Sequence, residues 1–367
     1  MKHFPKFVAT ISALSLIACT PILLSAKPAG AVGSTVLAQA IEKNAEFYYN
    51  RGVDRQNSGD IKGAIEDYNQ ALKINPNYAL AYNNRGIARY LSGDKQGGIE
   101  DINQALKINP NYAEAYNNRG NARGDSGDKQ GAIEDYNQAL KINPNLAEAY
   151  YNRGITRGDS GDIKGEIEDY NQALKINPNY AEAYNNRGVA RQNSGDFKGA
   201  IEDYNQALKI NPNDAEAYYN RGITRGDSGD IKGEIEDYNQ ALKINPNYAE
   251  AYYNRGNTRG DLEDIKGAIE DYNQALKINP NYAQAYNNRG GARKNSGDIK
   301  GAIEDYNQAL KINPNFAEAY YNRGNARGYS GDKQGAIADL QKAADLFQQQ
   351  GRTQDYQNAL EILRKYS

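Results

Sequence analysis

A block of thirty-four residues recurs through most of the chain, and residues 113–146 show it cleanly: AEAYNNRGNARGDSGDKQGAIEDYNQALKINPNL. It fits nine times, as 45–78, 79–112, 113–146, 147–180, 181–214, 215–248, 249–282, 283–316 and 317–350. Repeats four and six are identical at every position. A fixed period of this length means that each unit is one supersecondary element, unable to hide its apolar face alone and ordered only by stacking on its neighbours. The period overrides length. A chain of 367 residues would otherwise read as two or three domains, and here it reads as one elongated, one-dimensional array.

Within the unit the pattern predicts two helices and two breaks. Asn111 stands three residues before Glu114, a capping-box spacing, and a first helix runs from there to about Asp125. Ser126-Gly127 turns the chain, and Asp128 can cap a second helix. In that helix Ala132, Ile133, Tyr136, Ala139 and Leu140 share one apolar face. Asn143-Pro144 stops it, because the residue before proline avoids the helical region. The first helix carries a thinner stripe of Ala115, Tyr116, Gly120 and Ala122. A glycine there costs about 1 kcal/mol of helix propensity, which is worthwhile only where another helix comes close. The expected small neighbour is Ala132.

The pattern Tyr116…Gly120…Ala132…Tyr136…Ala139…Pro144 resembles the tetratricopeptide repeat (TPR), with Tyr116 in the place usually held by Trp. Arg119 stands where the family usually has Leu, and Arg123 where it has Tyr. The resemblance covers residues 45–350. It implies an all-α fold, a right-handed superhelical solenoid of helix pairs, and a non-catalytic protein-interaction role.

Residues 1–40 differ from the rest. They hold no Asp or Glu, and Lys2 and Lys6 precede an apolar run over 7–24. A basic segment followed by an apolar one reads as a secretory signal, with small-residue cleavage sites at Ala29-Gly30-Ala31 and Ala38-Gln39-Ala40. Two alternatives stay open. Leu16-Ile17-Ala18-Cys19 resembles a bacterial lipobox, which would put a lipid on Cys19, and the run is just long enough to serve as an uncleaved anchor. The expected location is therefore exported: periplasm, cell surface or extracellular, with membrane anchoring as the alternative. At the other end, repeat nine leaves the pattern after Gly335 and lacks the Asn-Pro stop. After Gly351 a last helix carries Tyr356, Leu360 and Leu363 on one side, against Gln354, Asn358, Glu361 and Lys365 on the other. This is the solvating cap that a solenoid end requires, over 351–367.

Composition narrows the chemistry. Beyond residue 40 there are 41 basic and 46 acidic residues, about −5 net, and the chain's one His, one Cys and one Met all lie in the leading segment. A Ser-His-Asp triad, a Cys-His pair and a His/Cys zinc site are thereby excluded from the repeats. No phosphate-binding glycine motif occurs. Even, mild acidity argues against nucleic acid, which requires a basic stripe. Paired Glu134-Asp135 and its equivalents are neighbours on a helix and point about 100° apart, so they do not face each other. No cofactor is expected, and the partners expected are proteins or peptides.

Two arginine rows need partners. Arg51, Arg85, Arg119, Arg153, Arg187, Arg221, Arg255, Arg289 and Arg323 form one, and the residues four further on, Arg55 through Arg327, the other. Both fall near the packed seam, where an unpaired charge is not tolerated. The regular candidate is the second-helix aspartate, Asp67, Asp101, Asp135 and its equivalents through Asp339, which predicts an Arg–Asp ladder. The rival is an arginine row gripping an anionic ligand.

The resemblance also implies that the first helices line a concave groove through their second, fifth, sixth, ninth, twelfth and thirteenth positions. The fifth is Tyr49, Asn83, Asn117, Tyr151, Asn185, Tyr219, Tyr253, Asn287 and Tyr321. The sixth is Asn50, Asn84, Asn118, Asn152, Asn186, Asn220, Asn254, Asn288 and Asn322. Such a surface would offer flat rings and amide hydrogen bonds, suited to a peptide and also to a glycan strand. Near-identical repeats fit a repetitive partner, many weak contacts or a spacer role. The reading is thus an exported binding scaffold, with a structural spacer or glycan-associated envelope assembly factor as the alternative.

Overall fold

The structure is a computed structural model and describes residues 32–366. Cys19, the apolar run and Ala29-Gly30-Ala31 lie outside the described residues. Ala38-Gln39-Ala40 falls inside the first helix. No described helix is long and apolar enough to cross a membrane.

All regular structure among the described residues is helical, with turns between the helices and no strand. They form two compact units, one ending at Pro178 and the other beginning at Asn179. The first holds α1 (Val32–Asn57), α2 (Ile61–Ile74), α3 (Ala79–Leu91), α4 (Lys95–Ile108), α5 (Ala113–Asp125), α6 (Lys129–Ile142), α7 (Ala147–Gly158) and α8 (Ile163–Ile176). The second holds α9 (Ala181–Asn193), α10 (Phe197–Ile210), α11 (Ala215–Asp227), α12 (Ile231–Ile244), α13 (Ala249–Asp261), α14 (Ile265–Ile278), α15 (Ala283–Asn295), α16 (Ile299–Ile312), α17 (Ala317–Tyr329), α18 (Lys333–Gln349) and α19 (Thr353–Tyr366). Odd-numbered helices through α17 are the first helices of the repeats, and even-numbered ones the second. Within each unit every helix packs on the next in sequence, and first helices also touch the first helix of the following repeat.

The second-helix start is as expected: Asp128 Oδ1 accepts the Gly131 N–H at 2.9 Å, and each repeat repeats this cap. The first-helix start is not. Asn111 does not cap α5. Tyr112 occupies the cap position without a side-chain bond, and Asn111 donates its own N–H to Asn109 Oδ1 at 3.1 Å. The Asn-Pro-Asn turn thus consumes the amide that a capping box would use. Repeat six is the exception: Asp214 accepts from both Glu216 and Ala217 N–H at 3.0 Å.

The second helices bury Ala132, Tyr136, Ala139 and Leu140. Gly120 makes a close approach, but to a ring: a Cβ there would lie 2.6 Å from Tyr136 Cε1, whereas Ala132 faces Gly124. The expected Gly120–Ala132 contact is therefore corrected. The turn between helices uses a glycine at positive φ, 85–98° from Gly59 through Gly331. In repeat seven Glu263 takes that role at φ 64°, a left-handed conformation unfavourable for a side-chain-bearing residue. The second unit closes on α19, whose Ala359, Tyr356 and Leu360 pack against Ala343, Ala344 and Phe347, while Gln354, Asn358, Glu361 and Lys365 stay exposed.

Candidate functional site

Both arginine rows are paired within their own repeats. In all nine repeats the first arginine forks onto the second-helix aspartate with both nitrogens, Nε to Oδ2 and Nη2 to Oδ1, at 2.5–2.9 Å. The second arginine brings Nη1 to the same Oδ2 at 2.9–3.1 Å. Each aspartate is 2–5% exposed. Two guanidinium groups around one buried carboxylate meet the requirement that a buried charge be paired and hydrogen-bonded. The first guanidinium also lies 5.2–5.5 Å from the ring of the tyrosine three residues before it, such as Tyr116 under Arg119. The two departures from the family pattern, Tyr for Trp and Arg for Leu, thus form one stacked pair. Its remaining nitrogen reaches the preceding repeat, as Arg119 Nη1 to Asn103 Oδ1 at 2.7 Å and Arg255 Nη1 to Asn239 Oδ1 at 2.5 Å. The ladder hypothesis holds, and no arginine row is left open for an anion.

The fifth- and sixth-position rows have a structural duty that the sequence did not announce. Asn83, Asn117, Tyr151, Asn152, Asn185, Asn220, Asn254 and Asn287 are buried. Tyr49, Asn84, Asn118, Asn186, Tyr219, Tyr253, Asn288, Tyr321 and Asn322 are half-buried, and Asn50 is exposed. The sixth-position amide donates to the fifth-position oxygen of the repeat before. Asn118 reaches Asn83, Asn152 reaches Asn117, and Asn322 reaches Asn287, at 3.0–3.1 Å. Where the fifth residue is tyrosine its hydroxyl accepts instead, from Asn84 on Tyr49 and from Asn254 on Tyr219. Asn288 does the same on Tyr253 at 3.0 Å. The tyrosine rings lean on other rings, Tyr219 on Tyr248 at 4.8 Å and Tyr253 on Tyr282 at 4.8 Å. The flat faces and amides expected to be open are largely engaged between repeats. What these rows can offer a partner is their half-exposed edge.

The remaining groove positions vary from repeat to repeat. The ninth runs Val53, Ile87, Asn121, Ile155, Val189, Ile223, Asn257, Gly291, Asn325, and the twelfth and thirteenth vary as widely. They decide how the second-helix tyrosine hydroxyl is satisfied: Tyr136 donates to Asn121 and Tyr272 to Asn257 at 2.8 Å, Tyr68 to Gln56 at 2.9 Å. Repeats four and six place a glutamate, Glu166 and Glu234, where their sisters have alanine or glycine. Glu166 is 6% exposed, and desolvation pushes its carboxyl up to about 7 despite a hydrogen bond from Tyr170. Glu234 is raised as well by burial, tempered by the hydroxyl of Thr258 at 2.8 Å. Gly158 and Gly226 make room, since a Cβ at either would strike the carboxyl. Among the described residues no group of His, Cys, Asp and Glu could hold a metal ion.

Tetratricopeptide repeat profiles match residues 57–93, 79–112, 113–146, 157–195, 193–229, 225–262, 249–282, 292–328 and 317–350. An uncharacterised protein of Methanocaldococcus jannaschii is 47% identical over 36 residues, which are 10% of this chain and 42% of that relative's length. Among solved structures, the anaphase-promoting-complex hetero-tetramer Cut9–Hcn1 superposes with a TM-score of 0.54 at 18% identity, over 72% of this chain and 52% of that one. PilF of Pseudomonas aeruginosa gives 0.53 at 15% identity, over 56% of this chain and 94% of its own. At such identities these two likenesses speak for the fold.

Proposed function

From the premise that the chain belongs to the tetratricopeptide repeat family, whose members serve as protein-interaction scaffolds, we propose that it is a non-catalytic scaffold that binds peptide or protein partners along its first helices. The observation that carries this reading is where the repeats differ. The second helices are near-copies, and the Arg–Asp fork and Asn ladder recur. Variation gathers at the ninth, twelfth and thirteenth first-helix positions, which include the exposed Leu91 and Tyr329. A constant frame carrying variable positions, in each of the two units, is what a recognition surface needs, because specificity comes from differences laid on a rigid support. The half-exposed edges of the Tyr and Asn rows, Tyr219 and Asn322 among them, flank those positions as secondary contacts. We further propose that the protein acts outside the cytoplasm, on the strength of the basic-then-apolar leading segment.

The test is affinity capture with the full chain immobilised against an envelope extract, read by mass spectrometry, beside Leu91→Ser and Tyr329→Ser. These side chains are 50% and 75% exposed, so their loss leaves the fold intact. Specific proteins retained by the parent and lost from a variant support the reading. Retention of nothing beyond a blank matrix favours the spacer role and overturns it.

A further inference from the structure

Repeat eight breaks the hydroxyl pattern of its sisters. Tyr306 is 0% exposed, and its hydroxyl has no hydrogen-bond partner among the described residues. Both usual acceptors have gone. At the ninth position, where Asn121 and Asn257 accept from Tyr136 and Tyr272, stands Gly291. At the twelfth, where Gln56 and Gln192 accept from Tyr68 and Tyr204, stands Lys294, which can only donate. Lys294 lacks an acceptor too. Two twelfth-position groups elsewhere meet the next repeat's thirteenth residue, Tyr90 on Asp125 at 3.1 Å and Gln192 on Asp227 at 3.2 Å. The residue in that register for Lys294 is Tyr329, which is 75% exposed. Lys294 makes no ion pair among the described residues. Charge points the same way: α5, α7, α9, α11, α13 and α17 each carry a glutamate in the first turn, whereas α15, like α3, carries no acidic residue.

We propose that repeat eight holds a carboxylate side chain from an acidic segment of a partner peptide, bound over Gly291 between the Tyr306 hydroxyl and the Lys294 ammonium. The place is defined by the sister repeats, where an asparagine amide oxygen already occupies it. A Cβ on Gly291 would lie 4.0 Å from the Tyr306 hydroxyl, and Gly291 itself is half-exposed, so an acceptor can approach from the first-helix side. Positions 291 and 294 lie on one helical face. A carboxylate supplies the acceptor that Tyr306 lacks and the charge that Lys294 lacks, in one group. Tyr329 offers its exposed ring to the flanking segment. This rests on the scaffold reading and names one of its contacts.

The experiment is fluorescence anisotropy of the full chain with two labelled dodecapeptides, one with four glutamates and its isostere with four glutamines. The expected result is preferential binding of the glutamate peptide. Lys294→Gln and Gly291→Asn are each expected to weaken it roughly tenfold, the scale of a lost charge-assisted hydrogen bond. Gly291→Asn gives Tyr306 an internal acceptor, so it raises thermal stability while lowering affinity, and misfolding cannot imitate that pair of readouts. Lys73→Gln, on an exposed second-helix face, should leave binding unchanged. Equal binding of the two peptides, no binding of either, or indifference to both repeat-eight variants overturns the proposal. Partners captured from extract and unaffected by these two variants would leave the scaffold reading standing without this contact.

Discussion

Glu166 in repeat four and Glu234 in repeat six occupy the same place in identical sequences, yet they are held differently. Glu234 accepts the Thr258 hydroxyl from the following repeat at 2.8 Å. Glu166 accepts the Tyr170 hydroxyl of its own repeat at 3.3 Å. The Arg–Asp forks of the two repeats are the same to within 0.1 Å, 2.9 and 2.6 Å in one and 2.8 and 2.6 Å in the other. What a repeat contains therefore fixes its internal frame, and a neighbouring repeat can add to the setting of its glutamate, as Thr258 does for Glu234. In a solenoid, ionisation is a property of neighbouring pairs of repeats more than of one repeat.

The largest effect should come from the shared part. Asp169→Ala and Asp237→Ala each strand two guanidinium groups, and each should lower local stability by about 3–5 kcal/mol. Hydrogen exchange of α7–α8 and of α11–α12 reads the two losses separately. Clearly unequal losses would break the idea of a common frame.

Next comes the glutamate itself. Glu166 has its folded value raised from 4.5 to about 7, so the folded state binds the extra proton and the unfolded state does not. Stability contributed by this group falls as pH rises from about 4.5 to about 7, and the full penalty is present above that. The size is about 3 kcal/mol. Glu166→Ala recreates the Gly124–Ala132 pairing of repeat three. It should stabilise α7–α8 by that order at pH 8 and by little at pH 4. A pH-independent gain would mean that packing, not charge, is the cost.

A sharper and smaller contrast uses Thr258→Ala, which removes the hydroxyl that repeat seven lends to Glu234. Its local cost should be about 1 kcal/mol. Carboxyl-carbon NMR titration should show Glu234 titrating below Glu166 in the parent and moving upward in the variant. An unmoved Glu234 would sink the neighbour argument. The smallest change lies outside the pair: Glu263→Gly restores the left-handed glycine to the turn of repeat seven and should stabilise it by about 0.5–1 kcal/mol. Thermal melts of the two chains side by side decide it, and no gain would mean that the turn holds Glu263 without strain.

Much of this was legible in advance. Period, helix faces, the aspartate cap and the Arg–Asp ladder follow from spacing, because each depends on groups within one unit. The misses have separate causes. The capping box failed because Asn109 competes locally for the Asn111 N–H. Gly120 was matched to the wrong neighbour because the size of Tyr136 decides the contact, not the smallness of Ala132. The Asn rows looked like ligand-facing amides, since their acceptors lie thirty-five residues away in the repeat before. A spacing search across units, donor type against acceptor type, would have found them. The same search exposes repeat eight, where Tyr306 has neither acceptor.

The rung between repeats accepts either a phenol oxygen or an amide oxygen on one side and always meets an asparagine on the other. Any repeat can therefore follow any other without a mismatch at this joint. Loss or gain of whole copies by recombination within the gene would rejoin compatible edges, so such a protein can change its reach in steps of one repeat while the surviving joints keep their chemistry.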